Sequence, residues 1–158
     1  MTAMTAQVIL PASPPGAVAG TALRAARLSA RLTQGQLAAG ISVGEASIAA
    51  WEDGADPLAE VACPVLERLE SALSAAQGDP ALVSDLTTAI WCDLVLAAVA
   101  GCQDISCLMA DPAAAEPAFR ELLAWSAGGP RPDRYRPYAG PGPGRAGLGH
   151  PYLVSSST

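Results

Sequence analysis

The residue types that could bind a metal or carry redox chemistry are few in this 158-residue chain. Its four cysteines are Cys63, Cys92, Cys102 and Cys107, and its one histidine is His150. No two cysteines form a C-x-x-C pair, whereas zinc and iron–sulfur sites show closely paired ligands. We therefore expect no metal site and interpret the cysteines as small buried hydrophobic residues, with a redox or metal role as the alternative.

Catalytic chemistry has as little support in the sequence. No glycine-rich phosphate loop precedes a helix, because the GPGPG run at residues 140–144 lies in a proline-rich tail. The carboxylates of Asp85 and Asp93 are interpreted as surface or helix-capping groups rather than as a general acid–base pair. The sequence thus predicts a protein that is not an enzyme and that uses no cofactor.

A third group of polar residues has the spacing of helix caps. Thr33-x-x-Gln36 is a capping box, in which each side chain bonds to the backbone amide of the other residue. Ser42-x-x-Glu45 repeats the pattern nine residues later, and Gly54 follows where a left-handed residue would end a helix. Two short helices joined by a tight turn are therefore predicted here.

Longer helical segments follow this pair. They run from Pro64 to about Ala76, from Asp79-Pro80 to Gly101, and from Glu116-Pro117 to Gly128-Gly129. Hydrophobic residues at helical spacing predict buried faces made of Leu82, Leu86, Ile90 and Leu94, and of Phe119, Leu122 and Leu123. The predicted fold class is all-α: a compact helix-turn-helix bundle of about five helices, additional C-terminal helices and a flexible tail.

The chain divides into four segments by composition. They are an uncharged flexible arm (1–20), the short helices (21–76), a C-terminal helical region (77–128), and a Pro/Gly-rich tail (129–158) expected to be disordered or docked in part. The net charge is −6, and residues 57–129 hold ten acids against two arginines. This balance opposes nucleic-acid binding, although most of the acidity lies outside the short helices.

The cellular setting is predicted from apolar stretches and composition. The stretch from Ala89 to Gly101 is too short to span a bilayer and contains Asp93, so we expect a buried core helix and no membrane association. Because the N-terminal residues lack the features of a secretory signal, the thiols are expected to be reduced in a cytoplasm. Arginine without lysine and abundant alanine indicate a high-GC, actinobacterial genome.

The segment from Leu23 to Gly54, LRAARLSARLTQGQLAAGISVGEASIAAWEDG, resembles the phage-repressor-like, xenobiotic-response-element type of helix-turn-helix DNA-binding domain. The motifs that carry the resemblance are Leu32-Thr33-Gln34, Leu37-Ala38, Ser47-Ile48, Glu52 and Gly54. It covers about residues 20–76, a third of the chain. The apolar positions expected to face inward are Leu23, Leu32, Leu37, Ala38, Ile41, Val43, Ile48 and Trp51.

The resemblance implies a repressor-like, DNA-binding transcriptional regulator whose helix-turn-helix spans residues 33–52. Its recognition helix, at about residues 44–52, would enter the major groove of double-stranded DNA, and Thr33 and Gln34 would begin the helix that contacts phosphate. The base-facing positions and their neighbours are Gly44, Glu45, Ala46, Ser47, Ala49 and Ala50. Arg27 and Glu52 match positions that form an ion pair between the first and third helices.

Departures from the family pattern predict weak binding by a single copy of the chain. The recognition helix has no basic or amide side chain, and the turn has Ser42, or Gly44 two residues later, where family members usually have glycine. A homodimer that joins two half-sites would compensate. The arginines and tyrosines of residues 131–138 would either follow the DNA backbone or pack on the bundle. The alternative function is a protein-interaction adaptor whose acidic C-terminal helices meet a basic partner.

Overall fold

The computed structural model describes residues 16–101, 106, 110 and 112–138 of the chain. This described part is all-α and contains no strand, which confirms the predicted fold class. The α-helices are α1 (Ala17–Ser29), α2 (Gln34–Ile41), α3 (Glu45–Asp53), α4 (Cys63–Ala75), α5 (Pro80–Ala100) and α6 (Pro117–Ser126). Short 3₁₀ segments lie at Leu58–Glu60, Pro112–Ala115 and Asp133–Tyr135.

The starts of the later helices follow the local sequence signals. Pro64 lies in the first turn of α4, and Pro117 begins α6. The Asp79 side chain accepts a 2.9 Å hydrogen bond from the backbone N–H of Ala81 and so caps α5. Because proline lacks an N–H and the first amides of a helix have no partner within it, these residues stabilise a helix start.

The centre of the fold is an antiparallel pair formed by α1 and α5. At one end of the pair, the backbone N–H of Asp79 donates to Ser29 Oγ over 2.9 Å. Toward the other, the carboxylate of Asp93 accepts from Val18 N at 3.1 Å and Ala19 N at 2.9 Å. Asp93 is 6 % exposed and caps the start of α1, so its interpretation as a surface group is wrong and the helix-capping alternative is confirmed.

Helix α5 exposes part of its apolar surface. It is long and apolar enough to cross a membrane by length and composition, but α1 and α6 pack against it. Of the predicted face, Leu82 and Leu86 are buried, Ile90 is half-buried and Leu94 is 41 % exposed. The prediction is wrong for Leu94 because each four-residue step advances about 40° around an α-helix and carries the series away from the core.

One hydrophobic core joins the two predicted helical regions. A single cluster of buried side chains includes Leu23 of α1, Leu82 of α5 and Phe119 of α6, so no second core begins at residue 77. Helix α1 begins at Ala17 and its first turn is buried, so the predicted arm is shorter than expected and its residues 1–15 lie outside the described residues.

The first part of the predicted tail packs on the bundle. Tyr135 is 1 % exposed, and its ring centroid lies 5.0 Å from that of Trp125 in α6. Residues 130–138 therefore extend the folded core, which confirms the docked alternative for them. Residues 139–158 lie outside the described residues.

Candidate nucleic-acid interface

Helix α2 begins at the predicted capping box. Gln36 N donates to Thr33 Oγ1 over 3.1 Å, and Thr33 N donates to Gln36 Oε1 over 2.9 Å. Leu37 and Ile41 lie on the buried side of the helix. The predicted Thr33–Gln36 capping box is therefore confirmed. The capping bonds do not use the backbone N–H groups of Gln34 and Gly35, the first two residues of α2.

The turn between α2 and α3 is built differently from the prediction. Ser42 has φ 60° and ψ 48°, the left-handed conformation that ends α2. Gly44 is extended and is the N-cap of α3, which has no side-chain cap bond. The predicted Ser42–Glu45 capping box is therefore wrong, because a residue that ends one helix in the left-handed region cannot take the extended backbone of an N-cap. Glu45 is the first residue of α3.

Helix α3 packs tightly against α1. Ile48 and Trp51 are buried on its inner side. A Cβ at Gly20 of α1 would lie 2.5 Å from the Trp51 carbonyl oxygen, so the close approach requires glycine. At the end of α3, Gly54 has φ 74°, the left-handed conformation that the sequence predicts. We call α2, the turn and α3 (residues 34–53) the helix-turn-helix unit.

The Glu52 carboxylate joins three helices. Arg27 of α1 donates through Nε to Oε1 at 2.5 Å and through Nη2 to Oε2 at 3.0 Å, which confirms the predicted ion pair. Gln34 of α2 donates through Nε2 to Oε2 at 2.8 Å. Arg24 Nε lies 3.5 Å from the same oxygen. Glu52 is 4 % exposed, so this network orients α2 and α3 relative to α1.

The eight predicted DNA-contacting residues lie at the start of α2 and from the N-cap of α3 to the middle of that helix. Those with exposed side chains or backbone are Thr33, Gly44, Glu45 and Ala46. The half-buried ones are Gln34, Ser47, Ala49 and Ala50. A Cβ at Gly35 would lie 3.5 Å from Glu45 Oε2, so the first turns of α2 and α3 are adjacent. We call this surface the α2–α3 face.

Acidic groups outnumber free basic groups near the α2–α3 face. Arg24 Nη2 pairs with Asp53 Oδ1 at 3.0 Å, and Arg27 is buried against Glu52. Arg31 is exposed, and among the described residues it has no acidic partner. Glu45 places a carboxylate beside the first turn of α2, where a helix favours an anion. A surface with this balance of charges attracts a polyanion only weakly.

The predicted basic and aromatic patch at residues 131–138 is mostly used in packing. Tyr135 Oη donates to Asp85 Oδ2 at 2.9 Å, and Arg134 Nε donates to the same oxygen at 2.5 Å. Arg134 Nη1 also pairs with Glu121. Asp85 is buried, so its interpretation as a surface or capping residue is wrong. Burial and the Asp85 charge raise the pKa of Tyr135, which therefore stays protonated.

The cysteines show no metal site within the described residues. Burial, followed by the charge of Asp93, raises the pKa of the Cys92 thiol to about 12, so this thiol is unreactive at neutral pH. Cys63 is exposed, contrary to the prediction, and Cys102 and Cys107 lie outside the described residues. No group of three or more potential ligands lies close enough to hold a metal ion in the described part of the chain.

Sequence reasoning missed the partners of three polar side chains. Gln34 was assigned to phosphate but donates to Glu52, 18 residues away, and Asp85 and Asp93 bind groups 49 to 75 residues away. The only local signal was a carboxylate within an apolar helix, which indicates a buried partner without identifying it. The chain matches no family model, no curated protein and no solved structure.

Proposed function

We propose that the protein is a DNA-binding transcriptional regulator that reads the major groove with the first half of α3. The observation that carries the proposal is the contrast between the two ends of this helix. Glu52 is buried in a three-helix network, while Glu45 and Ala46 are exposed at the start of α3. A helix oriented at one end and uncovered at the other is suited to insertion into a groove about 12 Å wide.

The small side chains of α3 favour close approach to base edges. Ala46 and Ala50 would contact a thymine methyl group, and Glu45 would accept a hydrogen bond from cytosine N4. The first amides of α2 and the guanidinium of Arg31 would contact phosphates on either side. With so few cations free, we expect weak binding by one copy and stronger binding by a homodimer on two half-sites.

The test is a fluorescence-anisotropy titration with duplex DNA from upstream of the protein's own gene, repeated between 20 and about 200 mM salt. Arg31→Ala is expected to weaken binding and to reduce the slope of log affinity against log salt by about 0.9. The matched control is Arg120→Ala, which removes an exposed arginine from α6 and should leave the slope unchanged.

A second variant tests which surface meets DNA. Ala46→Lys adds a cation at the start of α3 and should increase affinity or change sequence preference, since the side chain would lie in the groove. If wild type shows no saturable binding at low salt, or if both Arg31→Ala and Ala46→Lys bind as wild type does, the proposed α2–α3 face is wrong.

A protein-interaction adaptor is the second candidate, and the pairing of the arginines favours it. Arg24 and Arg27 already bind acids within the chain, whereas the side chains of Glu45 and Glu116 are exposed. Exposed acids of this kind suit a basic protein partner. This alternative predicts saturable, salt-sensitive binding of an oligo-arginine peptide by a protein that does not bind duplex DNA.

A further inference from the structure

The Glu45 side chain places its carboxylate against the start of α2. Glu45 is the first residue of α3 and is exposed. A Cβ at Gly35 would lie 3.5 Å from Glu45 Oε2 and 3.6 Å from Oε1, so both oxygens lie beside the second residue of α2. The side chain therefore crosses from one helix of the α2–α3 face to the other.

The carboxylate lies where α2 attracts negative charge. The Thr33 capping box uses the N–H of Gln36, so the N–H groups of Gln34 and Gly35 have no partner within the helix. Together with the aligned peptide dipoles, these groups give the first turn of a helix a partial positive charge. The Glu45 carboxylate therefore supplies an anion to this turn in the free protein.

The other two acids of α3 have cationic partners, and Glu45 differs from them. Glu52 binds Arg27 at 2.5 Å. Asp53 binds Arg24 at 3.0 Å. No hydrogen bond or ion pair among the described residues uses the Glu45 carboxylate. The carboxylate can therefore leave the start of α2 without breaking a hydrogen bond, and it loses only an interaction that salt weakens.

A DNA phosphate at the start of α2 would compete with this carboxylate. Two anions repel each other, so the Glu45 carboxylate cannot stay beside Gly35 when a phosphate contacts the first amides of α2. Where the displaced carboxylate meets cytosine, the N4 amino group donates a hydrogen bond to it. Guanine O6 and N7 and thymine O4 are acceptors and repel it. The base beside Glu45 therefore decides whether its displacement is compensated.

We propose that Glu45 determines specificity by exclusion: its carboxylate occupies the place of a phosphate beside Gly35 and is displaced at low cost only where cytosine receives it. This inference rests on the proposed DNA-binding function. The carboxylate weakens binding to every duplex, and it does so least at a site with cytosine in that position. Glu45 thus separates sites by lowering the affinity for other DNA rather than by raising the affinity for the preferred site.

The contact is tested first in the free, full-length protein. Backbone amide chemical shifts are measured by NMR for wild type, Glu45→Gln and Glu116→Gln. Glu45→Gln removes the charge and keeps the shape, so it should move the amide signals of Gln34 and Gly35. Glu116→Gln is the matched control, because it removes an exposed carboxylate at the start of α6 and should leave these two signals in place. Unmoved signals in Glu45→Gln would overturn the proposal.

The second measurement is fluorescence anisotropy with the upstream duplex and with a random-sequence duplex of the same length. Glu45→Gln should tighten binding to the random duplex by about two- to fivefold and steepen the salt slope by about 0.9, because one more phosphate is contacted. The ratio of the two affinities should therefore fall. Glu45→Asp keeps the charge but is one methylene shorter, and it should resemble Glu45→Gln more than wild type. Glu116→Gln should change neither affinity.

Three results would overturn the proposal. Weaker binding of Glu45→Gln to both duplexes would assign Glu45 an attractive contact alone and leave the proposed function intact. Wild-type binding by Glu45→Asp would show that charge near DNA, and not its place beside α2, sets the affinity. If neither wild type nor Glu45→Gln binds duplex DNA, the proposed function is wrong and exclusion at the α2–α3 face is wrong with it.

Discussion

Asp93 is expected to make the stability of the bundle depend on pH between about 4 and 6. Its buried carboxylate accepts hydrogen bonds from Val18 N and Ala19 N. Burial raises the pKa of Asp93 from 3.8 to about 6, although the two amide donors act in the opposite direction. Between these values the folded protein binds a proton that the unfolded chain releases. The contribution to stability is therefore fully present below 3.8 and is lost as the pH rises through 6.

The size of the effect follows from the shift. One pKa unit corresponds to about 1.4 kcal/mol, so a shift of about two units gives about 3 kcal/mol below pH 3.8. At pH 4.5 about 2 kcal/mol of this is present. Asp93→Asn removes the titration, and its amide N–H also faces an N–H donor of α1. The quantity to follow is thus the stability of wild type relative to the variant, which should rise as the pH falls.

The assay is urea unfolding of wild type and Asp93→Asn at pH 7.5, 6.5, 5.5 and about 4.5. Glu116→Gln is the control, because Glu116 is exposed and its replacement changes the net charge by the same amount. The reasoning is refuted if the relative stability of wild type and Asp93→Asn is independent of pH. A decrease as the pH falls would show that the α1 amides outweigh burial and hold the carboxylate charged.

Two further substitutions test the turn between α2 and α3 and the packing of residues 130–138 on the bundle. Ser42→Gly should raise the free energy of unfolding by about 1 kcal/mol, because Ser42 has φ 60° and glycine adopts this conformation without strain. The control Ser71→Gly, within α4, should lower it by about 0.5 kcal/mol. A loss of stability in Ser42→Gly would contradict the left-handed turn. Tyr135→Phe should lower the free energy of unfolding by about 2 kcal/mol, because it removes a hydrogen-bond donor to the buried Asp85. The control Tyr138→Phe should lower it much less. Equal losses in the two variants would contradict the buried hydrogen bond.

The features that could be predicted from the sequence depend on a few adjacent residues. The Thr33 capping box, the Asp79 cap and the left-handed Gly54 each involve contacts within four residues, so the pattern itself contains both partners. The Ser42–Glu45 pattern shows the limit of this reasoning. The same serine could end one helix or begin the next, and the local pattern does not distinguish these roles; in the structure Ser42 ends α2 in the left-handed conformation.

The features that could not be predicted depend on tertiary contacts. Asp85 and Asp93 look alike in the sequence, but Asp85 binds the segment after α6 and Asp93 caps α1. Leu94 is exposed because the four-residue series of α5 drifts around the helix, and the packing of α1 and α6 determines which part of that series is covered. The family resemblance predicted the Arg27–Glu52 pair correctly because it supplied a tertiary contact that spacing alone does not.

The Glu52 network bears on the proposal that the helix-turn-helix unit binds DNA as a homodimer. Orienting α3 requires a buried carboxylate, and that carboxylate needs Arg27 and lies 3.5 Å from Arg24. The arginines that stabilise the unit are therefore not available to contact phosphates. Arg31 is the remaining described arginine near the α2–α3 face, and it has no acidic partner among the described residues. Each phosphate contact that is missing weakens binding and its dependence on salt. On the proposed function, joining two such units would increase affinity for DNA without altering the network that orients either of them.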